Sequence, residues 1–197
     1  MLQRAIDTRL PTDCGEFLLR AYSENGSHSP HVALILGTLE GTVPLVRIHS
    51  ECMTGDVFGS QRCDCGIQLE FAKQAIALEG AGVLIYLRQE GRGIGLLNKL
   101  RAYNLQDAGL DTVDANLQLG FGADEREYGA AIEILEDLGV SRLRLLTNNP
   151  AKLAAVERSP ITVLERVPLV APITDHNRSY VMVKRMRMGH LAEEVGG

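Results

Sequence analysis

VLIYLRQEGRGIGLLNKLRAYNLQDAG, residues 83–109, holds an apolar run, a glycine-rich turn and a helical stretch in that order. Residues 83–88 (VLIYLR) are short and apolar enough for a strand buried on both faces. Glycines over 90–95 mark a tight turn, and 96–107 reads as a helix closed by Gly109. A strand that feeds a helix through a tight turn is the building unit of an α/β fold. The same alternation runs outward in both directions. HVALILG (31–37) and VPLVRIH (43–49) read as strands joined by a short turn at Glu40 and Gly41. Residues 66–78 carry Ile67, Phe71, Ala75, Ile76 and Leu78 at near-helical spacing and stop at Gly80. Downstream come a helix over 126–138 with its stop at Gly139, a strand over 143–147, a helix over 150–158 with Pro at its start, a strand over 161–167 and a last helix over 178–191. The expected fold is α/β, a mixed sheet flanked by helices, in a single domain over 1–197 with the strands at 31–37 and 43–49 paired as a hairpin. NGSHSP (25–30) is the expected mobile loop.

Composition narrows the function. The chain has 197 residues, a net charge of -5, 45% hydrophobic and 23% charged residues. That is ordinary globular composition with ample length for a core. The acidic balance argues against a nucleic-acid binder, which is normally basic. Aromatics at 5% and the absence of Trp leave little for base-stacking platforms. No stretch approaches the about 20 apolar residues of a membrane span. MLQRAIDTRLPTD lacks the apolar core of a signal peptide, so the expectation is a cytoplasmic protein without membrane contact.

The four cysteines divide by spacing. Cys14 stands alone, while Cys52-x10-Cys63-x-Cys65 places three soft ligands within fourteen residues. In a chain able to build its own core inside a reducing compartment, disulfides are disfavoured. Three thiolates with one open position are the plan of a catalytic zinc. Two plainer readings stand beside it: a closed Cys3His structural zinc using His49, and three buried thiols with no metal. Three thiolates on Zn²⁺ leave net negative charge, for which Arg47 and Arg62 are the flanking cations.

Three further segments suit a phosphorylated ligand. Glycines at 91, 93 and 95 around Arg92 let backbone approach an anion near a helix N-terminus, and arginine forks onto phosphate oxygens. As a bare motif it fits an ordinary glycine turn equally well, since it matches neither GxxxxGK[ST] nor GxGxxG. TNNP (147–150) closes a strand and opens a helix with Lys152 in the first turn, a cation that an anion would relieve; a plain Asn cap with a solvated lysine is the alternative. Asp124 before Arg126 reads most simply as an N-cap.

Together these segments resemble the GTP cyclohydrolase II family of riboflavin biosynthesis. The matching text is RIHSECMTGDVFGSQRCDCGIQLE (47–70), RQEGRGIGLLNKLRAYNLQDAGLDTVDAN (88–116), LGFGADEREY (119–128), LLTNNPAK (145–152), ERVPL (165–169) and KRMRMGHL (184–191). The resemblance implies Cys52, Cys63 and Cys65 as zinc ligands. It implies contact with GTP for Arg47, Ile48, His49, Ser50, Glu51, Gln68, Glu90, Gly91, Arg92, Thr112, Thr147 and Lys152. It implies Asp124 as proton acceptor, Arg126 as the group at the α-phosphate, and Tyr103 beside the reacting imidazole ring. Gln68 suits guanine because an amide both donates and accepts; Glu90 and Glu51 both suit the N1 and 2-amino donors.

The implied reaction removes pyrophosphate from GTP, opens the guanine imidazole ring with hydroxide at C8 and releases that carbon as formate. The implied product is 2,5-diamino-6-(5-phospho-D-ribosylamino)pyrimidin-4(3H)-one. Magnesium on the phosphates and a homodimer are also implied. Guanidinium is protonated at any ordinary pH, so Arg126 as an electrostatic stabiliser is the plainer alternative to Arg126 as nucleophile. The competing function is a paralogue that binds GTP but stops at the formyl intermediate or is non-catalytic. Pro160 and Val183 depart from the family pattern, and neither falls on an implied site residue.

Overall fold

The structure, a computed structural model, describes residues 2–24 and 28–191. It divides into two compact units, one of Met1–His49, Glu70–Arg88 and Tyr128–Leu169, the other of Ser50–Leu69, Gln89–Glu127 and Val170–Gly197.

The first unit is built on a seven-stranded mixed sheet. Its strands are β1 (Leu2–Thr12), β2 (Gly15–Glu24), β3 (His31–Leu36), β4 (Leu45–Ser50), β5 (Gly82–Leu87), β6 (Arg142–Leu146) and β7 (Thr162–Val167). They lie in the order β1-β2-β3-β5-β4-β6-β7. Pairs β1–β2, β2–β3 and β3–β5 are antiparallel, whereas β4–β6 and β6–β7 are parallel. The mixed sheet is as expected, but β5 lies between β3 and β4, so the expected hairpin of 31–37 with 43–49 is corrected. A short turn does not oblige its flanking strands to pair; here β5 offers β3 a full apolar partner. The β1–β2 hairpin escaped the sequence reading because β1 is exposed along most of its length and shows no clean alternation.

Side chains two apart share a face, and this sorts the core. Ala33 and Ile35, Val46 and Ile48, Val83, Ile85 and Leu87, and Leu143 and Leu145 form one buried cluster with Ala131, Ile134 and Leu135 of α5 (Gly129–Asp137) and Val156 of α6 (Pro150–Glu157). On the opposite parity, a Cβ at Gly82 would lie 3.0 Å from the Ile76 side chain of α2 (Cys65–Glu79), so glycine there admits the helix to the sheet. The helix expected from 126 starts at Gly129, with Tyr128 before it and no side-chain cap. Asp124 is therefore not an N-cap, and is free to hold Arg126 instead.

The second unit holds α1 (Met53–Asp56), the start of α2, a 3-10 turn at Glu90–Gly93, α3 (Gly95–Asp107), α4 (Thr112–Gln118) and α7 (Arg178–Met188). Asp111 caps α4 by accepting from Val113 N and Asp114 N. Left-handed Gly189, φ 64°, ends α7 three residues short of the run expected to 191. Of the expected mobile loop at 25–30, residues 25–27 lie outside the described residues. No described helix is long and apolar enough to cross a membrane.

Candidate functional site

In the second unit, Cys52 precedes α1, Cys63 closes the following loop and Cys65 opens α2. Their sulfurs all lie within 4.8 Å of one another, with Cys52 Sγ and Cys63 Sγ 3.7 Å apart. Glycine makes the convergence possible. A Cβ at Gly55 would stand 2.9 Å from Cys63 Sγ and 3.2 Å from Cys52 Sγ, and one at Gly66 would strike the Gly55 carbonyl. Hydrogen bonds from Cys63 and Cys65, then the charge of Lys99, hold the Cys52 thiol far below its usual range. Donating to Cys52 pushes the Cys63 and Cys65 thiols up. Three converging sulfurs in a partly buried pocket are the donor chemistry of zinc, so the residues fit that metal.

The cation at the thiols is Lys99, which the sequence reading did not single out. Its Nζ lies 3.1 Å from Cys52 Sγ and 2.7 Å from Glu90 Oε1. Burial alone would lower its pKa, but Cys52 and Glu90 outweigh that and keep it an ammonium. Lys99 stands one helical turn before Tyr103 on α3, so both reach the same side; that spacing was the signal available in the sequence. Arg62, one of the two expected compensating cations, instead pairs with Asp107 at 2.7 Å.

Glu90 is held from three sides. Its Oε1 accepts from Gly91 N and Lys99 Nζ, each at 2.7 Å, and its Oε2 accepts from Met53 N at 2.6 Å. The turn behind it is strained: Gly91 and Arg92 both sit in the left-handed region, φ 64° and 61°, which costs a non-glycine residue about 1–2 kcal/mol. That conformation buries the Arg92 guanidinium beside the Tyr180 ring at 5.6 Å. Its Nη1 makes a 3.4 Å bond to Ala123 O, while its Nη2 is buried with no hydrogen-bond partner among the described residues. A buried donor without an acceptor is costly, and a ligand oxyanion would satisfy it. Gly93 serves packing, since a Cβ there would collide with the Glu125 backbone.

Ser50, Glu51, the three cysteines, Glu90, Gly91, Arg92, Tyr103, Thr112 and Arg126 all line one open cavity of about 560 Å³. Lys99, Gln106, Asn116 and Tyr180 line it as well and were not expected. Asp124 stands behind Arg126, accepting from its Nε at 2.7 Å. Burial pushes the Asp124 carboxyl up, but the Arg126 guanidinium outweighs it and leaves the group below the ordinary carboxylate range. Tyr103 places its hydroxyl 3.2 Å from Thr54 Oγ1, and burial raises its phenol. Gln68 does not line the cavity; its amide nitrogen donates to Asp64 Oδ2 at 2.7 Å.

The remaining expected residues belong to the first unit. Arg47 and Lys152 are buried, Arg47 Nη1 donating to Leu146 O at 3.1 Å and Lys152 Nζ to Ile48 O at 2.7 Å. Lys152 is thus not the solvated lysine of the plainer reading. Asn149 caps α6 through Ala151 N, as the TNNP turn suggested, and Thr147 Oγ1 accepts from Asn149 N at 3.0 Å. His49 is buried and stacks on Tyr86 at 5.4 Å. Parallel β4 and β6 are neighbours, so these groups gather at the carboxyl ends of adjacent strands, the usual ligand side of an α/β sheet. Asp13, Cys14 and Glu70 also cluster, but Lys73 already stands at 2.6 Å from Glu70 and 3.7 Å from Asp13.

Comparison with known proteins gives the same direction. The family model described as GTP cyclohydrolase II matches residues 3–168. A protein named GTP cyclohydrolase-2 from Pseudomonas aeruginosa (strain LESB58) is 57% identical over 185 residues, 93% of this chain and 90% of that one. Riboflavin biosynthesis protein RibBA of Bacillus cereus (strain B4264) is 54% identical over 192 residues, 97% of this chain but 48% of that longer protein. Among solved structures, RibBX from A. baumannii, a two domain 3,4-dihydroxy-2-butanone 4-phosphate synthase, superposes with a TM-score of 0.51 at 22% identity, over 86% of this chain and 40% of that one, a likeness of fold alone. The converging thiols, the cavity they line and the match along most of the sequence lead to one assignment: this chain belongs to the GTP cyclohydrolase II family.

Proposed function

We propose that the protein is a zinc-dependent hydrolase that opens the imidazole ring of GTP, releasing formate and pyrophosphate and giving 2,5-diamino-6-(5-phospho-D-ribosylamino)pyrimidin-4(3H)-one. The observation that carries this reading is the convergence of Cys52, Cys63 and Cys65 in a cavity that also presents Arg92, Tyr103 and Arg126. Zinc on the three sulfurs would supply a Lewis acid and activate water by lowering its pKa from about 15.7 to about 7. Magnesium would neutralise charge on the departing pyrophosphate.

The chain's own groups take the remaining roles. The orphaned Nη2 of Arg92 donates to a phosphate oxygen. Arg126, held by Asp124, stays a guanidinium, which favours stabilising negative charge at the α-phosphate over nucleophilic attack. Asp124 stays ionised beside it and accepts a proton. Tyr103 stays a neutral phenol near the ring and donates. Glu90, fixed by three donors, and Glu51 face guanine's N1 and 2-amino groups, with Ser50, Gly91 and Thr112 as further contacts; Gln68, outside the cavity and bonded to Asp64, is not among them. Arg47, Ile48, His49, Thr147 and Lys152 complete the set of GTP-contacting positions. The whole chain acts as one GTP cyclohydrolase II-like catalytic domain, as a cytoplasmic homodimer without nucleic-acid or membrane partners, in the first step of riboflavin biosynthesis.

The test is to incubate zinc-loaded protein with GTP and magnesium, then measure formate, pyrophosphate and product mass. Formate and pyrophosphate in equal amounts are expected. A product retaining the formyl carbon selects the truncated reaction, and binding without turnover selects a non-catalytic paralogue. In the same assay Arg126→Ala is expected to stop pyrophosphate release; release at the normal rate removes Arg126 from the α-phosphate.

A further inference from the structure

Asp64 lies between Cys63 and Cys65 and is 5% exposed. A carboxylate so buried requires a countercharge, and that charge comes from α7. Lys184 Nζ stands 2.9 Å from both Oδ1 and Oδ2 of Asp64, while Gln68 Nε2 donates to Oδ2 at 2.7 Å. The pair is closed to water, with side chains 11% and 7% exposed. One turn earlier on α7, Tyr180 lines the cavity with two cations over its ring, Lys184 at 5.3 Å and Arg92 at 5.6 Å. All of α7 lies beyond residues 3–168, the part that the family model matches.

We infer that Lys184 is a positioning residue of the metal centre: by clamping Asp64 it fixes the short segment whose two ends present Cys63 Sγ and Cys65 Sγ. The inference rests on the reading of the three cysteines as a zinc site. Its physical basis is geometric. A backbone unit between two ligands has few free torsions, and anchoring its side chain from a rigid helix removes most of them. Groups that orient ligands in this way typically contribute 10–100-fold to metal affinity. Charge alone predicts the opposite sign, because removing a cation near the site would tighten a divalent metal. A loss of affinity on removing Lys184 therefore reports position and not field.

The experiment compares full-length wild type, Lys184→Met and Lys184→Arg by zinc competition against a chromophoric chelator and by the visible spectrum of the cobalt-substituted protein. We expect Lys184→Met to bind zinc about 10–100-fold more weakly with altered cobalt bands, and Lys184→Arg to restore most of both. Lys184→Gln, which also removes the cation, serves if Lys184→Met does not fold, and the same loss is expected. Zinc affinity and cobalt bands equal to wild type in the folded variants overturn the positioning role while leaving the metal site standing. Failure of the wild type itself to take up zinc overturns the metal reading and this inference with it.

Discussion

In the first unit Arg144 reaches Glu165 and Glu79 at 2.8 and 2.9 Å with its own side chain 29% exposed and theirs 53% and 41%. In the second, Lys99–Glu90 and Lys184–Asp64 span similar distances, but no partner is more than 11% exposed. The same residue types thus do different jobs. Rim pairs stand in water that screens them, and each contributes little to stability. Buried pairs are costly to form and costlier to break, because the surviving partner is left charged without solvent. Apolar side chains hold the sheet together. Around the thiols, buried ion pairs hold Glu90 and Asp64 in place at some cost in stability.

Three substitutions break or sharpen that contrast, from the largest effect down. Cys63→Ser removes one soft donor from the converging triad. Zinc content should fall to near zero and formate release should cease, while far-ultraviolet circular dichroism stays that of the wild type; formate release at the wild-type rate would refute the metal role. Ile85→Ala opens a cavity in the fully buried cluster of the sheet. It should cost about 2–5 kcal/mol in urea unfolding, with zinc still bound. A cost below 1 kcal/mol, on the order of a surface change, would deny that apolar burial dominates this unit. Arg144→Ala removes both rim pairs at once and should cost less than about 1 kcal/mol, with activity unchanged. A larger loss would mean that the rim network is stronger than its exposure suggests.

Most elements were legible because period 2 and period 3.6 patterns are local. The strand, turn and helix over 83–109 appear as β5, the Glu90–Gly93 turn and α3. Misreadings fell where the pattern was weak or where neighbours were at issue. β1 has no clear inner face, and nothing local says that β5 intervenes between β3 and β4. In the site, the cysteine spacing carried a chemical meaning that needed no fold, since thiols separated by one and ten residues can meet. Lys99 carried only its spacing of one turn from Tyr103, and Lys184 and Tyr180 carried none, because a lysine or tyrosine on a helix looks the same whether it meets solvent or a buried partner.

By itself the sequence determined the alternation of strand and helix, the soft-donor triad and the family, since each is written in short patterns of residue type. Tertiary structure alone decided the strand order, the ion pair that holds Arg126 to Asp124, and the lysines that reach Cys52 and Asp64. Those outcomes depend on which surfaces are buried together. Burial sets the cost of leaving a charge alone, and so selects the partner each charge must find.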